Sequence, residues 1–208
     1  MPIISARTGA TIGVVVVAAI LGLTSYAVVS RRSTDQFAAC RSGNVAGGQI
    51  GGPLQLVDET GQTVTEAQII SKPALVYFGF ASCADVCPLD NARNVEAADL
   101  LAKAGYDVTP VFITVDPSRD SPSAMASYTD NFSERLLGYT GSAEQIKAAT
   151  TAYKVMAQLP QDPSGDYQVS HTTLTYLVLP QVGFVDFFHR ETPAQVIVDH
   201  TGCFLKAS

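Results

Sequence analysis

The 208-residue chain has no tryptophan, and only 15% of its residues are charged. The missing tryptophan excludes any motif built on that ring. Basic residues are few: 13 Lys and Arg stand against 19 Asp and Glu, for a formal net charge of −6. No stretch gathers them into a patch that could neutralise a phosphate backbone, so nucleic acid is not an expected partner. No internal repeat is visible, which excludes solenoids and arrays. Three histidines and four cysteines are present, so a metal or nucleophilic site has to be assembled from a short roster of side chains.

Apolar sequence is what the chain has in quantity. Hydrophobic residues make up 47% of it, and no charged residue occurs from Thr8 to Ser30. A membrane-spanning helix needs about 20 apolar residues, so a transmembrane anchor is expected over residues 9–30. A cleaved signal peptide is the rival reading, with Arg7 as its basic region and Ser25-Tyr26-Ala27 as a small-x-small site. The apolar run continues through Val28 and Val29 to Arg31-Arg32, which favours the anchor. The basic residues flanking the run barely discriminate its orientation. Four cysteines fit an oxidising compartment. The resulting expectation is a short cytoplasmic N-terminus (1–8), a single-pass anchor in a bacterial inner membrane (9–30), a glycine-rich linker (31–51) and a domain facing the periplasm (52–208).

Within that domain, Leu54–Val57 and Gln62–Val64 read as a small hairpin. Ala74-Leu75-Val76-Tyr77-Phe78 is a continuous apolar run, the look of a strand buried on both faces. Residues 88–104 have helical spacing with Gly105 as a stop. A second apolar strand, 108–115, ends at Asp116-Pro117. Helices are expected at 122–132, capped by Ser121, and at 142–153, where Ser142 and Gln145 form a capping box. A short strand at 136–139 separates them. A loop or hairpin excursion covers 155–169. Strands at 172–179 and 184–188 follow, then a last helix from Thr192-Pro193 to about Leu205. Alternating strands and helices in this order indicate an α/β, thioredoxin-like fold with an inserted hairpin.

Cys83 and Cys87 lie four apart where the first buried strand turns into a helix. At i, i+4 on a helical turn both sulfurs share one face, and a helix N-terminus favours thiolate. Three readings remain open on residue types: a structural pair or disulfide, a dithiol redox site, or a soft-metal site. C-x-x-x-C departs from the usual C-x-x-C of oxidoreductases, and thiolates with one imidazole suit copper. His171 opens a strand where it could face such a site, though a lone histidine is more often a satisfied core or surface residue. His189 reads as a solvated turn and His200 as a surface or capping residue. Asp85 reads as a helix cap, and Asp116, Arg119 and Asp120 as an Asp-Pro turn with a local ion pair. Cys40 and Cys203 stand apart from the motif; they could form a disulfide tying linker to domain, or remain free thiols.

Three blocks carry a family resemblance: Gly79-Phe80-Ala81-Ser82-Cys83-Ala84-Asp85-Val86-Cys87-Pro88; Val111 to Pro122; and Tyr167-Gln168-Val169-Ser170-His171-Thr172 with Tyr176-Leu177-Val178. In this order and at these spacings, over about residues 52–206, the chain resembles the Sco/SenC family of copper proteins. The resemblance implies copper, as Cu(I) with Cu(II) the second oxidation state, bound by Cys83, Cys87 and His171. It implies a metallochaperone, rather than a turnover enzyme, that helps assemble the binuclear CuA centre of cytochrome c oxidase. The implied partner is the oxidase subunit carrying that centre, with another copper chaperone or a thiol reductase as further partners. The alternative is a thiol–disulfide oxidoreductase that uses Cys83 and Cys87 on the oxidase subunit or in redox signalling. Two positions depart from the family pattern: Ser170 stands where Asp is usual before the histidine, and Ala84 where Pro is common after the first cysteine.

Overall fold

The computed structural model describes residues 17–27, 36–41, 50–160 and 167–208. A helix, α1, covers residues 17–27. The elements that follow are β1 (Gln55–Asp58), β2 (Thr63–Thr65), α2 (Glu66–Ile69), β3 (Ala74–Gly79), α3 (Val86–Lys103), β4 (Thr109–Thr114), α4 (Pro122–Thr129) and β5 (Leu137–Thr140). Then come α5 (Ala143–Ala152), β6 (Ala157–Gln158), β7 (Ser170–His171), β8 (Thr175–Leu179), β9 (Gly183–Phe188) and α6 (Ala194–Ala207).

Seven strands form one mixed sheet in the order β2-β1-β5-β4-β3-β8-β9, and β6 pairs with β7 in a separate ribbon. β3 lies in the interior of the sheet, parallel to β4 and antiparallel to β8. All six of its residues are buried, because an unbroken apolar run is satisfied only where both faces are covered. α3 and α6 pack against each other, while α4 covers β5 and α5 meets β1. The architecture is α/β and thioredoxin-like, as the alternation of elements indicates. The largest buried side chains include Tyr77, Phe78, Phe112, Tyr153 and Tyr176.

Local chemistry accounts for several helix ends. Gly105 follows α3 with φ +89, the left-handed conformation that commonly closes a helix and that glycine adopts without a Cβ clash. Ser121 accepts a hydrogen bond from the Ala124 amide at the start of α4, with Pro122 beside it. Ser142 and Gln145 cap α5 reciprocally. The one-turn α2 is an element the apolar pattern did not signal; it is started by a Thr65–Gln68 capping box.

The membrane anchor expected over 9–30 is not supported. Among the described residues no helix is long and apolar enough to cross a membrane. The described helical residues, 17–27, cover about 16 Å at 1.5 Å per residue, less than a hydrocarbon core of about 30 Å. Freedom from charge permits a span but does not by itself specify one. The single-pass inner-membrane placement rested on that helix and is not supported; the periplasm-facing orientation, drawn from the four cysteines, loses the anchor it was defined by. Residues 1–16 and 28–35, and 42–49 of the expected linker, lie outside the described residues. Two compact units are present, Cys40–Ala207 and Met1–Ala39 with Ser208. Among the described residues every strand lies in the former.

Candidate metal centre

The pairing of β3 with β8 decides which distant residue joins the cysteines. Tyr77, near the end of β3, is opposite Thr175, the first residue of β8. The chain entering β8 therefore arrives where the chain leaving β3 turns toward α3. β7 ends four residues before β8, and so His171 is delivered beside the cysteine loop although 84 positions separate it from Cys87.

Cys83 lies in the loop after β3, and Cys87 is in the first turn of α3. The helix begins without a side-chain cap: Asp85 at the N-cap makes no such hydrogen bond, contrary to the capping role its position suggests. Instead the Cys87 amide donates to Cys83 Sγ at 3.4 Å, so a sulfur takes up one of the orphan donors of the first turn. Both thiols are free and buried. Cys87 Sγ is 3.5 Å from His171 Nε2. Cys83 Sγ, Cys87 Sγ and an imidazole nitrogen of His171 all lie within 4.8 Å of one another.

The imidazole tautomer follows from its partners. His171 Nδ1 is 3.0 Å from the Thr172 carbonyl oxygen, which can only accept, so Nδ1 carries the proton and Nε2 turns its lone pair toward the sulfur. The edges of Tyr77 and Phe80 confine the ring, with centroids 6.1 and 5.7 Å away. Burial pushes the His171 pKa down, which keeps the imidazole neutral, the form that ligates metals. Burial also pushes the Cys87 thiol well up from its ordinary value, outweighing a backbone hydrogen bond at Phe80. Without metal, the thiol of Cys87 therefore donates to Nε2; a metal ion would take that proton's place. Two sulfurs and one imidazole, buried and convergent, form a donor set that fits a soft metal such as copper.

Several supporting groups were not singled out by the sequence. The Tyr77 hydroxyl donates to Cys87 Sγ at 3.9 Å; its only signal was a hydroxyl in an otherwise apolar strand. Asp90, one turn beyond Cys87, forms a buried ion pair with Arg93 at 3.0 Å. Arg93 in turn donates to Thr175 Oγ1 at 3.0 Å and to the carbonyls of His189 and Arg190. This network ties the start of α3 to β8 and the turn after β9. Gly79 leaves room for the site: a Cβ there would lie 2.8 Å from Cys87 Sγ. The Ser170 departure does not touch the centre, because Ser170 is exposed and alternates with His171 along β7. Ala84 is likewise exposed.

The remaining cysteines and histidines sit elsewhere. Cys40 and Cys203 are disulfide-bonded with Cα atoms 5.6 Å apart. His189 is exposed beyond β9, and His200 packs its ring edge on Phe188 in α6. Neither belongs to the metal cluster found among the described residues.

The sequence profile of the SCO1/SenC family matches residues 43–206. The chain is similar to protein SenC of Rhodobacter capsulatus, with 45% identity over 98% of this chain and 93% of that protein. It is similar to the mitochondrial SCO1 homolog 1 of Arabidopsis thaliana, with 36% identity over 77% of this chain but only 49% of the plant protein. The chain thus spans about half the length of that relative. Among solved structures, yeast Sco1 with copper bound superimposes with a TM-score of 0.72 at 34% identity, covering 77% of this chain and 91% of that one.

Proposed function

The chain belongs to the SCO1/SenC family, and from that premise we propose that it is a copper metallochaperone, with Cys83, Cys87 and His171 as the ligands of its cargo. The observation that carries the reading is the convergence of the two sulfurs and the imidazole within 4.8 Å. Two thiolates and a neutral imidazole suit Cu(I) and accept Cu(II). The proposed recipient is the cytochrome c oxidase subunit that carries the binuclear CuA centre; membership of the family supports that assignment. A three-ligand site leaves a position through which a recipient's cysteine or histidine can begin ligand exchange.

Thiol–disulfide exchange with the same recipient is the second reading, favoured by the two free sulfurs in one site. The protonation of Cys87 opposes it, since the thiolate is the attacking form. Copper titration of the reduced chain separates the two. One copper per chain is expected, lost in Cys83→Ser/Cys87→Ser and weakened at least tenfold in His171→Ala. Wild-type affinity in the double serine variant would sink the copper reading. Rapid disulfide reduction unaffected by His171→Ala would favour the oxidoreductase.

A further inference from the structure

The Asp116–Asp120 turn does more than close on itself. Asp116 and Arg119 make the local ion pair expected of an Asp-Pro turn, Nε to Oδ2 at 2.6 Å, yet the same groups reach into both halves of the metal centre. On one side, the Asp120 carboxylate accepts the Ala81 amide at 3.0 Å and the Thr114 hydroxyl, so it grips the backbone of the cysteine loop. On the other, the Tyr167 hydroxyl donates to Asp116 Oδ1 at 3.0 Å, and Arg119 donates to the Tyr167 carbonyl at 2.9 Å. The guanidinium lies 3.7 Å from the Tyr167 ring centroid and 5.6 Å from that of Phe80. Phe80 begins the cysteine loop, accepts the Cys83 amide and packs against the His171 ring. Tyr167 precedes His171 by four residues on the same excursion.

β7, the strand that carries His171, is only two residues long and pairs with a strand of the same length outside the main sheet. A two-stranded ribbon of that size has little stability of its own. Beside it Val169 is buried in the core, and Thr172 and Met156 exchange backbone and side-chain bonds of 2.9 and 3.0 Å.

We infer that Arg119 is a positioning residue, a latch that clamps the His171 excursion against the cysteine loop and so sets the imidazole over the two sulfurs. Its planar fork reaches the Asp116 carboxylate and the Tyr167 carbonyl together while its face lies on the Tyr167 ring. A lysine cannot reproduce that combination. The consequence for copper rests on the function proposed above; the clamping itself does not.

The test uses the full-length chain with Cys83 and Cys87 reduced and no metal added, compared with Arg119→Met, which keeps the apolar stem and removes the fork. Amide hydrogen exchange is read at Thr172, whose N–H bonds Met156, and at Phe112 and Ile113 in the buried β4. The expected result is exchange at least tenfold faster at Thr172 with the β4 amides unchanged, and a copper dissociation constant raised at least tenfold. Arg119→Lys should recover part of both. Exchange at Thr172 within twofold of wild type, or acceleration equal at all three amides, overturns the latch. Should Arg119→Met fail to fold, Tyr167→Leu at a half-buried position carries the same two outcomes. The copper reading fails separately: if wild-type copper binding proves independent of Cys83, Cys87 and His171, the exchange data still decide the latch.

Discussion

Replacing Gly79 with alanine tests whether the close packing of β3 against α3 is what shapes the site. The new Cβ would meet Cys87 Sγ at 2.8 Å, Phe112 Cε2 at 2.9 Å and Tyr77 Cε1 at 3.1 Å, where ordinary contact begins at 3.4 Å. Tyr77, Phe112 and Cys87 are all fully buried, so none retreats freely; the sulfur, the nearest of the three, lies about 0.6 Å inside ordinary contact. Metal–ligand distances tolerate only about ±0.2 Å. Overpacking of this kind costs about 1–3 kcal/mol, and for a domain of this size each kcal/mol lowers Tm by about 2–4 °C. Thermal unfolding of the metal-free protein should therefore fall by about 2–12 °C, and copper should bind at least about tenfold more weakly, since a displaced sulfur forfeits on the order of 1.4 kcal/mol of binding. Gly202→Ala in α6 is the control: among the described residues nothing lies within 4 Å of its Cβ position, and alanine should gain up to about 1 kcal/mol of helix propensity. An unchanged Tm and copper affinity in Gly79→Ala, beside a well-behaved control, would refute the claim that the absent side chain sets the sulfur's position.

Other outcomes follow from the same structure. Burial opposes ionisation of Asp116, but hydrogen bonds from Ser118, Arg119 and Tyr167 outweigh it and hold the carboxyl below the usual 3.8. The stability it contributes is complete above that value and lost as pH falls through its lower native value; the difference in unfolding free energy between wild type and Asp116→Asn should shrink as pH drops below about 4, and a constant difference would contradict the assignment. The Cys40–Cys203 bond closes a loop with a sequence separation of 163, for which chain entropy gives about 5 kcal/mol as an upper figure. Cys40→Ser/Cys203→Ser should lower denaturant stability by about 2–5 kcal/mol while leaving the copper stoichiometry unaltered, because neither sulfur touches the centre. Tyr77→Phe removes the hydroxyl that donates to Cys87 and also reaches Asp90, so fold stability should change by about 1–2 kcal/mol while Cys87, whose thiolate loses a donor, becomes less readily alkylated; equal reactivity would show that the hydroxyl does not stabilise the thiolate.

Local information was legible in the sequence wherever a short stretch contained its own physics. The apolar run at 74–78 had the look of a strand covered on both faces, Ser121 and Ser142 carried their helix starts, and Gly105 carried a helix stop. The C-x-x-x-C spacing brought two sulfurs to one strand-to-helix turn, although Cys83 lies in the loop and only Cys87 is on the helix. The uncharged tract at 8–30 misled for the opposite reason: lack of charge permits a membrane helix without dictating one. His171 was open on residue types, and only the family blocks pointed to it.

Tertiary structure decided the rest, through contacts between residues too far apart in sequence for any local period to connect. The antiparallel register of β3 and β8 brings His171 to Cys87. The Thr172 carbonyl selects the tautomer that aims Nε2 at the sulfur, and burial fixes both the neutral imidazole and the protonated thiol. The sequence alone determined that two thiols stand at a strand-to-helix turn; the packed sheet decided that an imidazole stands with them, and that Arg119, read as half of a local ion pair, spans the gap between the two loops that hold the site.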